Sequence, residues 1–268
     1  MEIAKPFLRW AGGKTWLLKH LKNFVPKRYN RYYEPFLGGG SIFFNLPEEH
    51  SSTLSDLNSD LIETYKALQN DADAVIDKLK SFANTKEDYY HIRNSIFTNP
   101  YHNAAKFIFL NKTSFNGIYR VNRKGEYNVP FGSRFTIDYV QENVLRQTSL
   151  KLKGARIICQ DFEVAISTVG EGDFVFIDPP YTTAHEKNGF IAYNQKLFSL
   201  EDQYRLSNSL KVLADKGAYF LMTNAYHDKI GEIYKDNGKL SYLERPSLIG
   251  GKGATRQIIK EYVIHNLY

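Results

Sequence analysis

The sharpest chemistry in the sequence is carried by Asp178-Pro179-Pro180-Tyr181, which directly follows the apolar run Phe174, Val175, Phe176, Ile177. An exocyclic amine on an aromatic base is a poor nucleophile, because its lone pair is delocalised into the ring. A site that transfers a methyl group to it needs acceptors that grip the N–H groups and restore electron density to nitrogen. The Asp178 carboxylate and the Pro179 carbonyl can do that. Pro179 and Pro180 lack N–H groups and hold the turn stiffly, and Tyr181 offers a π-face to a base swung out of a duplex. The plain alternative is a proline turn without chemistry.

A second cluster is Gly38-Gly39-Gly40. Two phosphate-binding templates fail around it. A P-loop ending in Gly13-Lys14-Thr15 needs glycine where Leu8 stands, and a dinucleotide fingerprint beginning at Gly38 needs glycine where Phe43 stands. What remains is a glycine-rich strand-to-helix turn followed, eighteen residues after Gly38, by Asp56. That arrangement suits a nucleoside: glycine lets the backbone approach the ligand, and a carboxylate ending the next strand can accept from both ribose hydroxyls. Alternatively, Asp56 caps the following helix.

The elements needed to position these residues are legible. The pattern predicts a short amphipathic helix within residues 5–26, closed by Pro26, then strands over 29–36 and 52–57 with a short helix over 41–46 between them, a βαβ unit. Residues 155–160, 173–177 and 218–223 read as buried parallel strands. Ser199 with Asp202 begins a helix, which Gly217 stops, and residues 240–244 and 257–266 can pair as a terminal antiparallel hairpin. The fold class is α/β: a Rossmann-like sheet with helices on both faces, formed by residues 1–60 and 151–268. Residues 61–150 are an inserted, mainly helical domain that ends in an aromatic, basic, glycine-containing stretch.

Composition narrows the class. Cys159 is the only cysteine and the seven histidines are scattered, so neither an internal disulfide nor a metal site is expected. No apolar run approaches the roughly 18 residues of a membrane span, which points to the cytoplasm and to no membrane partner. The formal charge is +6, and between Lys106 and Arg156 ten Lys/Arg face Glu126, Asp138 and Glu142, 10 − 3 = +7. One segment therefore carries the whole excess, as a solvated basic face or a nucleic-acid footprint would.

Asp178-Pro179-Pro180-Tyr181 resembles the catalytic motif of amino-methyltransferases acting on DNA bases. KPFLRWAGGK (5–14), EPFLGGGSIFFN (34–45), NKTSFNGIYR (111–120), YNVPFG (127–132) and residues 256–266 resemble, in one consistent order, the Dam family of DNA adenine methyltransferases. The resemblance implies S-adenosylmethionine as cofactor. It places Trp10 and Lys14 in the cofactor pocket, Phe36, Gly38, Gly40 and Ser41 around the methionine part, Asp56 on the ribose, Asp161 on the adenine amino group and Phe162 against the adenine. Asp178 counts as both a catalytic and a cofactor-binding residue. On residue type alone, Phe162 reads equally as core.

The same resemblance makes double-stranded DNA the partner, read by a hairpin at 119–129 that turns near Lys124-Gly125 inside the insertion, with no obligate protein partner evident. Arg120 would bridge guanine O6 and N7, Arg123 and Lys124 are the hairpin's other cations, Asn116 and Ile118 lie beside Arg120, and Pro130 touches a thymine methyl. Ser133 departs from the pattern by separating Gly132 from the basic Arg134, which puts the outermost base contact in doubt. Lys187 and Lys252, in two glycine-containing loops, are candidates for phosphate contact. The expected site is GATC or a longer sequence beginning with GAT. Competing readings are methylation of cytosine N4 or of RNA adenine, which share the amine grip, and a non-catalytic DNA-binding regulator that retains cofactor. Asp rather than Ser before Pro179 favours adenine, and intact Asp56 and Asp178 favour turnover.

Overall fold

The computed structural model describes residues 4–47, 51–181, 198–246 and 258–267. Seven strands form one mixed sheet: β1 (Arg31–Glu34), β2 (Ser51–Asp56), β3 (Arg156–Cys159), β4 (Phe174–Ile177), β5 (Tyr219–Ala225), β6 (Lys239–Pro246) and β7 (Ile258–His265). Their order is β3-β2-β1-β4-β5-β7-β6. The pairs β1–β2, β1–β4 and β4–β5 are parallel, whereas β7 runs antiparallel to both β5 and β6. This α/β sheet is Rossmann-like, and the expected terminal hairpin is the β6–β7 pair.

Two early helices differ from the sequence pattern. Within residues 5–26 the chain forms only two 3-10 segments, Thr15–Lys19 and Leu21–Asn23, and residues 41–46 yield a turn and the 3-10 segment Phe43–Asn45. None has an acidic residue in its first turn, and neither Leu21–Asn23 nor Phe43–Asn45 has a side-chain cap, so little stabilises an α-helical start. By contrast, Ser199 and Asp202 form the full capping box of the helix Leu200–Asp215.

The chain packs as two compact units: Met1–Thr15 with Leu37–Glu49 and Ser55–Cys159, and Trp16–Phe36 with His50–Leu54 and Gln160–Tyr268. In this division the glycine turn and Asp56 fall with residues 61–150. The first unit is built on α1 (Ser59–Asn70), α2 (Ala72–Lys80), α3 (Lys86–Asn94), α4 (Pro100–Thr113) and α5 (Glu142–Leu152), with α1 and α2 both packed on α4 and α5. Asn58, Asp71, Thr85 and Asn99 each cap the helix that follows. The second unit places α6 (Phe162–Ser167), α7 (Leu200–Asp215) and α8 (Asp228–Tyr234) against one apolar cluster. Alternate strand residues Val175 and Ile177, with Phe220 and Met222, meet Leu206, Leu210, Leu213, Ile230 and Tyr234 there. Complete burial of such a side chain contributes roughly 1.5–3 kcal/mol. The start of β4 is tied to β1 where buried Asp173 accepts both Arg31 Nε and Nη2, at 3.1 and 2.7 Å.

The junction between α4 and the hairpin is tight. Gly132 N donates to Thr113 O, and the Arg134 guanidinium donates to Lys112 O and Ser114 O, so the last carbonyls of α4 are covered by N–H groups and a cation. A Cβ on Gly132 would stand 2.5 Å from Ser114 O, which only glycine avoids. Half-buried Lys112 donates to Gln141 Oε1 at 2.6 Å. Burial, aided by the charges of Arg9 and Arg134 and opposed by Asp138, pulls its pKa down to about 8. This lies below the ordinary value of 10.5, so between the two the unfolded chain binds more protons and stability rises with pH. Lys112→Met removes that contribution. Its stability advantage or deficit relative to the parent, measured by chemical denaturation, is expected to move in the parent's favour from about pH 8 to about pH 10. A pH-independent difference would contradict the shifted lysine.

Candidate active site and nucleic-acid interface

In the first unit, the chain leaves Leu37 with its N–H on Ser55 O and turns through Gly38, whose φ of +47° is a left-handed conformation. A Cβ there would meet the Trp10 ring at 2.8 Å, so glycine is required twice over. Gly38 N donates to Asp56 Oδ2 and Asn58 N to Asp56 Oδ1, both at 3.0 Å, while the Tyr65 hydroxyl donates to Gly38 O. The helix cap is Asn58, not Asp56, so Asp56 braces the turn instead. Burial raises its pKa against the lowering effect of these backbone N–H groups. A carboxylate has about four acceptor positions; the N–H groups of Gly38, Asn58 and Leu57 occupy three of them, which leaves capacity for one further donor. Trp10 stacks on Tyr119 at 5.4 Å, Lys14 is buried with Nζ on Gly12 O at 2.7 Å, and Ser41 is buried nearby, its Oγ 3.6 Å from where a Gly13 Cβ would stand.

In the second unit, Asp178 follows the β4 residue Ile177, which is in register with Met222 of β5. The next β5 residue, Thr223, is fully buried and donates from Oγ1 to Asp178 Oδ1 at 2.9 Å. The half-buried carboxylate is thus turned to a fixed angle by its neighbouring strand. Pro179 is buried and Pro180 half-buried. Tyr181 donates its hydroxyl to Glu261 Oε2 at 2.5 Å. Asp161 caps α6 by accepting Glu163 N and also accepts Arg205 Nη2 at 3.0 Å. Phe162 is only 2% exposed; its ring stacks on Phe36 at 5.4 Å, and the Arg205 guanidinium lies 4.8 Å from its centroid. The core reading of Phe162 therefore holds for its burial.

The 119–129 ribbon is closed by the bridge Val121↔Tyr127 and turns at Gly125, with the Asn122 side chain accepting from Lys124 N and Glu126 N. Arg120 is exposed and steadied by Asn128, which accepts Nε at 2.8 Å. Asn116, Arg123, Lys124 and Pro130 are exposed, Ile118 and Arg134 half-buried, and Asn116 has a φ of +56°. Ser133 also takes a positive φ, 51°, while Arg134 turns onto the α4 carbonyls described above. Lys187 and Lys252 lie outside the described residues.

Sequence reasoning missed four residues that the structure brings to these sites. Thr223, Glu261 and Arg205 act across strand and helix pairings that no local pattern carries. Phe115, 54% exposed beside Asn116, is a large ring available to stack on a base or sugar, and its exposure is invisible until the turn is built. Among the described residues, no cluster of three His, Cys, Asp or Glu could hold a metal ion, and no helix is long and apolar enough to cross a membrane.

Comparison with known proteins gives a consistent result. The model of D12 class N6 adenine-specific DNA methyltransferases matches residues 10–247. The chain is 37% identical to the Type II methyltransferase M.MjaIII of Methanocaldococcus jannaschii, over 88% of this chain and 89% of that protein. It is 34% identical to the Type II methyltransferase M1.LlaDCHI of Lactococcus lactis subsp. cremoris, over 98% and 95% of the two chains. It is 31% identical to the DNA adenine methylase of Escherichia coli K12, over 97% and 95%. With the motif and the sheet order in place, these matches identify the chain as a member of the D12 class N6 adenine-specific DNA methyltransferase family.

Proposed function

We propose that the chain methylates N6 of an adenine extruded from duplex DNA, within GATC or a longer site beginning with GAT, using S-adenosylmethionine. The observation that carries the reading is the Asp178 carboxylate at the carboxyl end of buried β4, oriented by Thr223. One oxygen is turned by the threonine, and the carboxylate grips an amine N–H while the Pro179 carbonyl accepts the other. Both acceptors push density onto nitrogen, and the Asp-Pro-Pro backbone offers no N–H at Pro179 or Pro180 to compete. Tyr181 supports the face of the base.

Residues 1–60 and 151–268 are assigned to cofactor and catalysis, and residues 61–150 to reading DNA. The glycine turn and Asp56 fit a nucleoside, because the backbone at Gly38 is bare of Cβ and the Asp56 carboxylate retains capacity for a further donor. Asp56 is assigned to the ribose, Trp10, Lys14, Phe36, Gly38, Gly40 and Ser41 to the remainder of the pocket, and Asp161 with Phe162 to the adenine. When bound, S-adenosylmethionine supplies an electrophilic methyl on a sulfonium. Arg120, held upright by Asn128, is assigned to the guanine, with Asn116, Ile118 and Pro130 beside it and Arg123, Lys124 and Arg134 on the backbone. The place of action is the cytoplasm, on bacterial or phage DNA.

Asp56→Ala is expected to weaken S-adenosylmethionine binding by roughly ten- to a hundred-fold, the loss of hydrogen bonds to a charged acceptor. Lys124→Ala should leave that affinity unchanged. Calorimetry measures both, and parent affinity in Asp56→Ala would remove the nucleoside reading. On DNA the ranking reverses. Arg120→Ala should relax preference for the guanine by about 1–3 kcal/mol, whereas Lys124→Ala should weaken all sequences alike and flatten the slope of log affinity against log salt by about one unit. Methylation mapping on a random-sequence library checks the assignment: modified adenines that mostly lack a 5′ guanine contradict it.

A further inference from the structure

Glu261 is a carboxylate in an unfavourable place. It lies on β7 between Ala225 of β5 and Leu243 of β6 and is 1% exposed. Its Oε2 accepts the Tyr181 hydroxyl, and its Oε1 is ion-paired with Nε of Arg245 from β6. The Arg245 guanidinium in turn lies 6.0 Å from the Trp16 ring centroid. A buried ion pair rarely stabilises a fold better than apolar residues of the same volume, so packing alone gives no reason for this pair.

Tyr181 supplies one. Its ring closes the Asp178-Pro179-Pro180-Tyr181 turn, and a ring attached only at Cβ swings about two torsions unless its far end is held. Burial, with the neighbouring charges of Asp178 and Glu261, pushes the pKa of this hydroxyl far above its ordinary value, so it keeps its proton and donates. The strand register adds a geometric argument. Thr223, which anchors Asp178, stands two residues before Ala225, the partner of Glu261, so β5 spaces the anchor of the acid from that of the ring. Successive odd positions of a strand share one face, so both anchors lie on the same side of the sheet.

We infer that Glu261, with its charge balanced by Arg245, is a positioning residue that fixes the plane of the Tyr181 ring against which the extruded base rests. The inference builds on the proposed roles of Asp178 and Tyr181. It also gives β7, the antiparallel strand between β5 and β6, a part in the reaction beyond completing the sheet.

The test uses the full chain and four variants: Tyr181→Phe, the paired replacement Glu261→Met with Arg245→Met, these three substitutions together, and Glu261→Gln. Readouts are melting temperature, kcat, KM for S-adenosylmethionine, and fluorescence of a duplex carrying 2-aminopurine where the parent methylates adenine. The triple variant removes both charges and the hydroxyl they hold, at similar volume, so its melting temperature should match or exceed the parent's; the paired replacement, which takes Glu261 from that hydroxyl, should melt somewhat lower. The kcat of the paired replacement should fall roughly ten- to a hundred-fold, the scale of a misplacement of about 1 Å. KM should stay unchanged and the 2-aminopurine signal should drop. Tyr181→Phe should show the same loss, and the triple variant no further loss, because all three remove one hydrogen bond. Glu261→Gln, which keeps an acceptor for the hydroxyl, should recover part of the rate. A folded paired variant with parental kcat and fluorescence overturns the inference while leaving the methyltransferase reading intact. If the pair fails to fold, Tyr181→Phe decides alone, since it leaves Glu261 and Arg245 in place: parental kcat there also overturns the inference. A parent that puts no methyl on adenine overturns both readings.

Discussion

The hydrogen bond from Thr223 to Asp178 is a small interaction on which much of the structure depends. It exists only because β4 and β5 are parallel and in the register that pairs Ile177 with Met222, so that Asp178, just past the carboxyl end of β4, meets Thr223 of β5. A slip of one residue would turn Thr223 to the opposite face. That register is itself held by apolar side chains on alternate positions of both strands, packed beneath α7 and α8, and by Asp173 and Arg31 at the other end of β4. The core thus sets the angle of a carboxylate.

Asp56 obeys the same logic at the end of β2. Its two oxygens take backbone N–H groups from the glycine turn and from the residue before α1, which fixes the carboxylate before any ligand arrives. In both places the cost of orientation is met during folding, and an acid that is already aimed loses less entropy when its partner binds. The hairpin shows a third instance. Arg120, the residue proposed to read guanine, is exposed, yet Asn128 steadies it across the ribbon. Asp178, Asp56 and Arg120 are therefore each held by a neighbour to which no reaction is assigned.

What the sequence made legible divides along this line. Local signals were readable: the strands β1 to β5, the Ser199–Asp202 capping box and the β6–β7 hairpin all follow from patterns within a few residues, whereas the turn at Gly125 was expected from the family resemblance. The two early helices were overread, because apolar spacing at 3.6 residues says nothing of missing caps and acidic first turns. Thr223, Arg205 and Glu261 were not readable at all. Each is an ordinary residue in an ordinary strand or helix, and each acquires its role from a partner at least 42 positions away. Asp178, Tyr181, Gly38 and Asp56 can be singled out as candidates because their residue types and spacing are unusual; the side chains that hold them cannot, because support is a property of register.

The central claim is that Asp178 acts on the amine during methyl transfer and contributes little to holding DNA. Single-turnover transfer of labelled methyl from S-adenosylmethionine to duplex DNA, followed by nucleoside analysis and paired with a DNA-binding titration, tests it most directly in the parent and in Asp178→Ala. The account predicts label in N6-methyladenine for the parent, a rate lower by at least about a hundredfold in the variant, and DNA affinity close to the parent's. Transfer by Asp178→Ala at the parental rate would contradict it.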